Sequence, residues 1–405
     1  MIDPTVVSLG FDDYLSHVAS LTDDTLIPSE DRMVRDGKVP SDVMDAIATA
    51  GLFAISIPRS HGGLGWTMQQ QVALTMEFTR ASCVYRSRFS TTIGLSSQGI
   101  LDHGTQEQRA TLLPRMAEGS MVTAFALTEP DAGSDAAALT TTATEDGDTW
   151  VLSGHKRYIT NAHWADLLIV FARTGGVPGA RGVSAFLVPR NAAGVSTCIP
   201  ERMNGHAEGP VAEVDLDEVR VPKSSLVGDS LGSGFQVALR GINHARLHVA
   251  ATCVGQATRM LEETARHLDQ RQQFGAPLSE LGAVQADLGR CFADMEAARA
   301  LTVEAARAFD EGTIPRHRIS AAKLFASEMA SRVGDACVQL LGGEGIVGDH
   351  PVPRMWRDVR ALRIYEGSSP IHERNLGRAV VGHVGTAGVL PDTYRVTRGT
   401  PAAES

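Results

Sequence analysis

Two stretches of the 405-residue chain combine side chains that can hold a polar, planar ligand. Residues 125–135 (F-A-L-T-E-P-D-A-G-S-D) place small residues, a rigid turn and hydroxyl groups in one loop. Such a loop can offer backbone N–H groups and hydroxyl donors at close range. Residues 154–161 (G-H-K-R-Y-I-T-N) place Tyr158 and Thr160 two positions apart, hence on one face of a strand. Taken alone, each stretch is more typical of a surface turn or an ordinary sheet strand.

Two further motifs match functional patterns only in part. Residues 343–348 fit G-x-G-x-x-G, but a dinucleotide site needs a strand before this motif and a helix after it. Here a long helical segment precedes the motif, and we expect Pro351 and Pro353 to prevent an immediate helix. The glycines are therefore interpreted as a helix stop and a close turn. Ser230 lies in a G-x-S-x-G motif, which keeps a serine hydrolase as a remote alternative.

Two histidines, His244 and His248, have the four-residue spacing of helical metal ligands. The glutamate that H-E-x-x-H chemistry requires is absent between them. We interpret them as packed or phosphate-facing histidines. Five scattered cysteines without a C-x-x-C pair argue against a zinc site or a disulfide framework. No metal site is predicted.

The elements that must position these residues follow the order helices, strands, helices. The hydrophobic period predicts helices over residues 41–51, 68–79, 235–271, 281–311 and 317–341. Strands are predicted over 140–144, 150–152, 167–171, 183–188 and 211–221, with a hairpin at Asp146-Gly147. We predict an α+β protein of several domains: an α-helical domain (1–120), a β-barrel-like or sandwich domain (121–230), a four-helix-type bundle (231–384) and a flexible tail (385–405).

The charge and hydropathy of the chain exclude several classes of protein. Forty-seven acidic and 37 basic residues give a net charge of −10, which argues against a nucleic-acid binder and a polybasic membrane anchor. No apolar run reaches the roughly 18 residues of a membrane span. The first residues lack the basic and apolar regions of a signal peptide. We expect a cytoplasmic enzyme without nucleic-acid or membrane partners.

Four separated blocks make the chain resemble the acyl-CoA dehydrogenase family over roughly residues 15–380. The blocks are A-L-T-E-P-D-A-G-S-D (126–135), K-R-Y-I-T-N (156–161), R-Q-Q-F-G-A-P (271–277) and residues 357–374. The last block contains I-Y-E-G-S-S, where the family has I-Y-E-G-T-S. Members of this family are flavoenzymes that oxidise acyl-CoA thioesters to trans-2-enoyl-CoA. The resemblance therefore implies an FAD-dependent enzyme with the same helix–sheet–helix order.

The resemblance also assigns residues to the cofactor and the substrate. The positions that match FAD-contacting residues are Phe125, Leu127, Thr128, Gly133, Ser134, Tyr158, Ile159, Thr160, Arg271, Phe274, Gln339, Gly342, Gly343 and Ser368. Of these, Arg271 and Phe274 match residues that reach the FAD of a neighbouring subunit. The positions that match substrate-binding residues are Ser134, Asn243, Arg246, Glu366 and Gly367. Asn243 stands where the family usually has an aspartate.

Glu366 matches the catalytic base of the family, which takes the α-proton while the β-hydrogen passes as hydride to the flavin. Its neighbours Ile364 and Tyr365 are apolar or amphipathic, and such surroundings raise the pKa of a carboxylate toward the working pH. The backbone N–H of Glu366 is expected to polarise the substrate carbonyl. Some family members bring the base from the residue before the position of Arg246. Here that residue is Ala245, which cannot act.

The sequence leaves the substrate open. Tyr85-Arg86-Ser87 resembles a stretch of glutaryl-CoA dehydrogenase whose arginine meets the distal carboxylate. We nevertheless expect Arg86 to be a surface or salt-bridged arginine and monocarboxylic substrates to be preferred. A glutaryl-CoA-type and an acyl-carrier-protein-type dehydrogenase stay as alternatives. The resemblance further implies a homotetramer (a dimer of dimers), electron-transfer flavoprotein as the electron acceptor, and a role in fatty acid metabolism through beta-oxidation.

Overall fold

The structure, a computed structural model, describes residues 2–200, 202–312, 316–387 and 390. Within these ranges helices come first, strands follow and helices end the chain, which confirms the predicted α+β class. Of the predicted tail, residues 385–387 belong to the last helix. The rest of it lies outside the described residues, apart from residue 390.

Eight α-helices lie between residues 4 and 117, a range that is described throughout. They are α1 (Pro4–Val7), α2 (Phe11–Leu21), α3 (Glu30–Asp36), α4 (Ser41–Thr49), α5 (Met68–Phe78), α6 (Cys83–Ser90), α7 (Ser97–His103) and α8 (Gln106–Ala117). The predictions over 41–51 and 68–79 are confirmed by α4 and α5. A π-helical segment, Thr91–Ser96, joins α6 to α7, and such wider turns are frequent at functional sites.

The middle of the chain forms one curled seven-stranded sheet in the order β1-β4-β2-β3-β7-β6, with β5 paired to β4. The strands are β1 (Thr123–Ala126), β2 (Thr142–Asp146), β3 (Thr149–Thr160), β4 (Leu167–Arg173), β5 (Val183–Pro189), β6 (Val195–Cys198) and β7 (Val211–Pro222). Asp146 pairs with Thr149 across the predicted hairpin, which is therefore confirmed. β4 is buried on both faces, since Ile169 and Leu168 belong to different hydrophobic clusters.

A β-bulge in β3 gives Tyr158 its direction. The register of β3 on β7 pairs Lys156 with Val214 but Ile159 with Ala212, so two residues of β3 oppose one of β7. Tyr158 lies in this bulge with φ of 59° and 60% of its surface exposed, whereas Ile159 is buried. Because a bulge bends its strand and re-aims a side chain, the Tyr158 ring stands out from the sheet.

The second helical part is a bundle around one long central helix. Its helices are α9 (Gly234–Gln270), α10 (Gly282–Asp310), α11 (Arg316–Leu341), α12 (Pro351–Val359) and α13 (Ser369–Ala387), with a short hairpin of β8 (Gln272–Gln273) and β9 (Ala276–Pro277) after α9. The three long proline-free helices are thus confirmed. Gly241 lets α9 approach the π-helical segment, because a Cβ there would lie 2.3 Å from the Leu95 carbonyl oxygen.

One prediction about this bundle is wrong. We expected Pro351 and Pro353 to prevent an immediate helix after the G-x-G-x-x-G motif, but α12 begins at Pro351 itself. The first turn of a helix tolerates proline, because its missing N–H would have no intrahelical acceptor there. In the part of the chain that the structure describes, no helix combines the length and the apolar character needed to cross a bilayer.

Candidate active site

The turn between α12 and α13 carries Glu366 in a strained conformation. Glu366 has φ of 57° and Gly367 has φ of 102°, so two consecutive residues lie in the left-handed region. For a residue with a side chain this conformation is unfavourable and persists only where the surroundings enforce it. Arg246 Nε donates to the Glu366 carbonyl at 2.8 Å, and Lys323 Nζ donates to the Gly367 carbonyl at 2.7 Å. Side chains from α9 and α11 therefore hold the turn.

The predicted substrate-binding residues around this turn form one cluster. Arg246 donates to the Glu366 carbonyl and also, through Nη1, to Asn243 Oδ1 at 3.0 Å. Burial raises the pKa of the Glu366 carboxyl, and the positive charges of Arg246, Arg86 and Lys323 oppose that rise. A carboxyl with a raised pKa is a stronger base once it is ionised. The arrangement can therefore accept a proton from a bound molecule.

Arg86 differs from its prediction. It is only 5% exposed, and its guanidinium has no hydrogen bond or ion pair with any described residue. Tyr85 and Phe89 anchor α6 in the core, and Arg86 faces Glu366 from that helix. The expectation of a surface or salt-bridged arginine is therefore wrong. Burial lowers the pKa of Arg86, while Tyr365 and Glu366 act in the opposite direction.

The cations around Glu366 exceed the anions. Arg86, Arg246 and Lys323 face this one carboxylate. Burial raises the pKa of Cys83, Cys253 and Tyr365, so these groups are neutral at pH 7, and the Glu328 carboxylate near Lys323 is already paired with Arg363. Burial lowers the pKa of Lys323 to about 8, so its ammonium is still mostly protonated at pH 7. Buried charge of one sign is costly without a counter-charge, and a bound anion would supply one.

A buried ion pair anchors the loop after β1 to β3. Lys156 is fully buried, with Nζ 2.7 Å from Glu129 Oε1 and 3.3 Å from the Leu127 carbonyl. Glu129 also accepts four hydrogen bonds from the N–H and hydroxyl groups of residues 140–141. Burial alone would raise the pKa of Glu129, but Lys156 and these bonds hold it at about 2. The Thr128 carbonyl accepts a further bond from the N–H that follows Lys156, at 2.9 Å.

Helix α6 connects this loop and strand to the Glu366 turn. Asn161, directly after β3, has φ of 65° and donates from its side-chain amide to the carbonyls of Ser87 and Arg88, both at 3.0 Å. Arg86, the preceding residue of α6, lies close enough to Glu366 for its positive charge to lower the pKa of that carboxyl. Because adjacent residues of one helix contact the end of β3 and face the base turn, the two parts of the site lie close together.

The surfaces of this site suit the isoalloxazine ring of FAD. Hydroxyl groups without a protein hydrogen bond among the described residues belong to Thr128, Ser134, Thr160 and Ser368. Tyr158 adds an exposed aromatic ring, and Phe125 adds an apolar one that packs 4.6 Å from Phe171. A Cβ at Gly133 would meet nothing within 4 Å, which leaves room beside the loop. Unpaired hydroxyl donors beside aromatic surface are what a polar, planar ring requires.

Comparison with known proteins agrees with this geometry. Three models of the acyl-CoA dehydrogenase family match the chain: the N-terminal domain over residues 12–120, the middle domain over 124–219 and the C-terminal domain over 232–381. The chain belongs to the acyl-CoA dehydrogenase family. It is an oxidoreductase that acts on the CH–CH group of acyl-CoA thioesters and uses FAD, as the resemblance implied.

Curated relatives include both reductases and dehydrogenases. The 3-(aryl)acrylate reductase of Clostridium sporogenes is 36% identical over 85% of this chain and 92% of its own. A subunit of the caffeyl-CoA reductase–Etf complex of Acetobacterium woodii is 34% identical, over 85% and 90%. The glutaryl-CoA dehydrogenase of Desulfococcus multivorans is 33% identical, over 87% and 92%.

Solved structures have the same fold. Butyryl-CoA dehydrogenase from Megasphaera elsdenii superposes with a TM-score of 0.88 at 30% identity, covering 92% of this chain and 98% of that one. A glutaryl-CoA dehydrogenase from Mycobacterium smegmatis, in complex with FADH2, gives 0.87 at 27% identity, covering 96% and 97%.

The other residues matched to FAD contacts lie far from Glu366 within the chain. Arg271 follows the end of α9, and the 25 residues that separate it from Arg246 span roughly 38 Å of helix. Phe274 is 94% exposed, with φ of 54°. Gln339, Gly342 and Gly343 lie exposed at the end of α11. The structure does not bring these residues to the base cluster of the same chain.

The remaining motifs have structural explanations. The rings of His244 and His248 lie 4.8 Å apart in the core, and His248 Nδ1 is 2.8 Å from Thr75 Oγ1, which confirms that they are packed. Ser230 is exposed in the loop before α9, and no histidine hydrogen-bonds its hydroxyl within the described ranges. The first glycines of the 343–348 motif, Gly343 and Gly345, lie in the turn that directly follows the end of α11, and a Cβ at Gly345 would lie 2.4 Å from the Val338 carbonyl oxygen, so the predicted helix stop and close turn are confirmed.

Sequence reasoning missed three residues that hold this site: Lys156, Asn161 and Lys323. The first two stand inside a quoted block, but their partners are on other elements. Lys323 had a local signal, because it lies four residues after Ile319 and three before Ala326, on the apolar stripe of α11. A lysine on such a stripe indicates a buried charge.

Proposed function

We propose that Glu366 is the general base that removes the α-proton of an acyl-CoA thioester. The observation that carries the proposal is the strained Glu366 turn, held by Arg246 and Lys323, with a carboxyl whose pKa burial raises. Strain of this kind is frequent at functional sites. Ala245, at the position of the alternative base, has no acidic group and is buried.

The chain also offers a donor for the thioester carbonyl. The Glu366 N–H has no acceptor among the described residues, and a hydrogen bond from it would stabilise the enolate that proton removal creates. The residues that would hold the flavin ring are Phe125, Leu127, Thr128, Gly133, Ser134, Tyr158, Ile159, Thr160 and Ser368. FAD, when bound, accepts the β-hydrogen as hydride.

Glu366→Gln tests the base, because glutamine keeps the side-chain volume and removes proton acceptance. We expect exchange of the α-proton of acyl-CoA into D2O, followed by NMR, to slow about 10²–10⁴-fold or more, with FAD content and ligand binding retained. Ser230→Ala is the matched control and should leave exchange and turnover unchanged. A wild-type exchange rate in Glu366→Gln would place the base elsewhere, and a collapse in Ser230→Ala would revive the hydrolase.

A relocated carboxylate gives a second test of the same role. Glu366→Gly combined with Ala245→Glu should recover part of the exchange that Glu366→Gly loses. Recovery should be incomplete, because a small displacement from the productive geometry slows a reaction severely. No recovery in a folded, FAD-containing double variant would count against an α-carbon lying between the two positions.

A specific observation favours a substrate with a second negative charge at the far end of its acyl chain. Arg86 is buried, has no protein partner among the described residues and belongs to a cluster with excess positive charge. A distal carboxylate would satisfy it, as in a glutaryl-CoA-type dehydrogenase. A relative 33% identical to this chain is named a glutaryl-CoA dehydrogenase. This argument replaces the expectation of monocarboxylic substrates.

Arg86→Ala tests that substrate class. With glutaryl-CoA the variant should lose on the order of 2–5 kcal/mol in kcat/KM, because a buried carboxylate is left unpaired. Butyryl-CoA is the internal control and should change much less. Equal losses for both substrates would remove Arg86 from the specificity argument. The same panel, extended to acyl groups on an acyl-carrier protein, decides between the two thioester carriers.

The exposed residues at the ends of α9 and α11 support a homotetramer in which they reach a neighbour's FAD. Arg271 and Phe274 are exposed and roughly 38 Å of helix away from the base cluster of their own chain. An arginine there can meet a pyrophosphate. Arg271→Ala should therefore weaken both FAD retention, measured by flavin absorbance, and the oligomer, measured by light scattering. A monomer that keeps all its FAD would defeat the assignment.

An electron-transfer flavoprotein is the proposed electron acceptor, since one relative is a subunit of a reductase–Etf complex. A cytoplasmic role in fatty acid metabolism through beta-oxidation is proposed on family grounds alone. Reoxidation of the reduced enzyme by purified electron-transfer flavoprotein tests the acceptor. No reoxidation, while an artificial acceptor still works, would exclude that partner.

A further inference from the structure

Lys323 is a fully buried lysine without an ion pair among the described residues. Among the described residues, the only acceptor for the Lys323 ammonium is the backbone carbonyl of Gly367, 2.7 Å from Nζ. The ionisable groups that interact with it electrostatically are Arg246 and Cys253 on α9, Glu328 on its own helix, His372 on α13, and Glu366. An apolar side chain would fill this space without burying a charge. A function in the site accounts for the charge better than packing does.

The contact of Lys323 controls the backbone directly after the base. Arg246 fixes the carbonyl of Glu366, and Lys323 fixes the next carbonyl, so both peptide planes that follow the base are set by cations. Gly367 is closed in on the other side, because a Cβ there would lie 3.0 Å from Nε2 of the buried His372. The peptide that Lys323 fixes leads into Ser368, which matches a flavin contact.

We propose that Lys323 is a positioning residue for the reaction: it orients the Glu366 carboxylate through the Gly367 carbonyl, and its charge favours the ionised form of that carboxylate. The proposal rests on the proposed role of Glu366 as the base. Because burial lowers the pKa of Lys323 only to about 8, the ammonium is present at neutral pH. No bond of the substrate forms or breaks at Lys323.

Lys323→Met removes the donor and the charge while keeping a side chain of similar length. We expect kcat to fall about 10–100-fold with KM changed less than threefold, because a misplaced base slows the chemistry rather than binding. The acid limb of the α-proton exchange profile should move up by about one pH unit, since a nearby positive charge lowers a carboxyl pKa. This shift is a result that a purely structural residue would not produce.

Two further variants separate the hydrogen bond from the charge. Lys323→Arg keeps both and should restore most of kcat and the position of the acid limb. Lys323→Gln keeps an N–H donor without the charge, so kcat should recover in part while the acid limb stays shifted. If Lys323→Met does not fold, the pair of Arg and Gln variants decides the question. Lys223→Met, on an exposed lysine that pairs only loosely with Glu145, is the matched control and should behave as wild type.

The outcomes distinguish this proposal from the one on which it rests. A folded, FAD-containing Lys323→Met or Lys323→Gln variant with an unshifted acid limb and wild-type kcat would overturn the positioning role. Loss of kcat and FAD without a shift in the profile, and without rescue by arginine, would also overturn it and leave a structural role. Wild-type exchange in Glu366→Gln would instead remove the base, whatever the lysine variants do.

Discussion

Among the described residues, Lys156 and Lys323 are both completely buried, but Lys156 has an ion pair and Lys323 does not. Lys156, on β3, lies against Glu129, whose carboxylate also accepts four hydrogen bonds from residues 140–141. Lys323, on α11, donates to a backbone carbonyl and lies near Arg246, without an ion pair among the described residues. Burial lowers the pKa of both lysines to about 8. Burial therefore does not distinguish them, and the nature of the partner does.

The difference between the partners indicates different roles: the charge of Lys156 stabilises the structure of the site, whereas the charge of Lys323 acts on the reacting groups. At the sheet, the charges of Lys156 and Glu129 neutralise each other within a closed hydrogen-bond network. The pair therefore fixes the loop over residues 126–135 and produces little electric field outside the network. In the bundle, Lys323 has no ion pair among the described residues, and its charge acts on Glu366 and on any anion formed beside it. One site thus contains a satisfied polar network and an unsatisfied one, with different consequences for mutation.

The largest expected effect is on the sheet side. Lys156→Met leaves Glu129 buried without its counter-charge, which should lower the free energy of unfolding by about 3–5 kcal/mol. FAD content should fall with it, because the loop that carries Thr128 and Ser134 loses its anchor. Chemical denaturation and flavin absorbance measure the two quantities.

A double variant sharpens this prediction. Lys156→Met with Glu129→Gln removes both charges, keeps an acceptor oxygen for the donors of residues 140–141, and should be more stable than Lys156→Met alone, since no buried charge is left unpaired. If the double variant is no more stable, or if Lys156→Met unfolds like the wild type, the pair is not the closed network described above.

Much of this architecture follows from local sequence patterns. Proline-free runs with a helical period predict α9, α10 and α11 to within a residue or two of their observed ends. The Asp146-Gly147 turn predicts its hairpin. The family blocks point to Glu366 because base and flavin contacts stand in one contiguous stretch. Each of these features is encoded over a short distance along the chain.

The parts that were missed depend on contacts between distant segments. Lys323 precedes Glu366 by 43 positions, and Arg86, whose charge also acts on the Glu366 carboxyl, precedes it by 280 positions. The burial of Arg86 was missed because α6 is short, and the interior position of Arg86 is set by Tyr85 and Phe89, which pack into the core. The hydrophobic period of one segment does not predict which of its side chains another segment will bury.

A second, smaller effect concerns the strain in the Glu366 turn. Glycine adopts φ of 57° without a steric penalty, whereas alanine keeps a Cβ, so Glu366→Gly should be more stable than Glu366→Ala by about 1 kcal/mol. Both variants lack the carboxylate, so the comparison isolates the backbone. Equal thermal unfolding temperatures would mean that Arg246 and Lys323 hold an unstrained turn.

The smallest expected effect is the one that separates the two lysines most clearly. Lys323→Met loses one hydrogen bond but also removes a buried charge, so its free energy of unfolding should lie within about 1 kcal/mol of the wild type at pH 7. The pH dependence of the free energy of unfolding follows from the Lys323 pKa, which burial lowers from 10.5 to about 8. Because the unfolded chain therefore binds this proton more tightly than the folded one, the wild type becomes more stable as the pH rises from 8 toward 10.5. Lys323→Met lacks this gain in stability. The free energy of unfolding of the variant minus that of the wild type should therefore be higher at about pH 7 than at about pH 9.5, as measured by chemical denaturation at both pH values. A loss at pH 7 as large as that of Lys156→Met would show that Lys323 belongs to a closed network as well, and the contrast between sheet and bundle would fail.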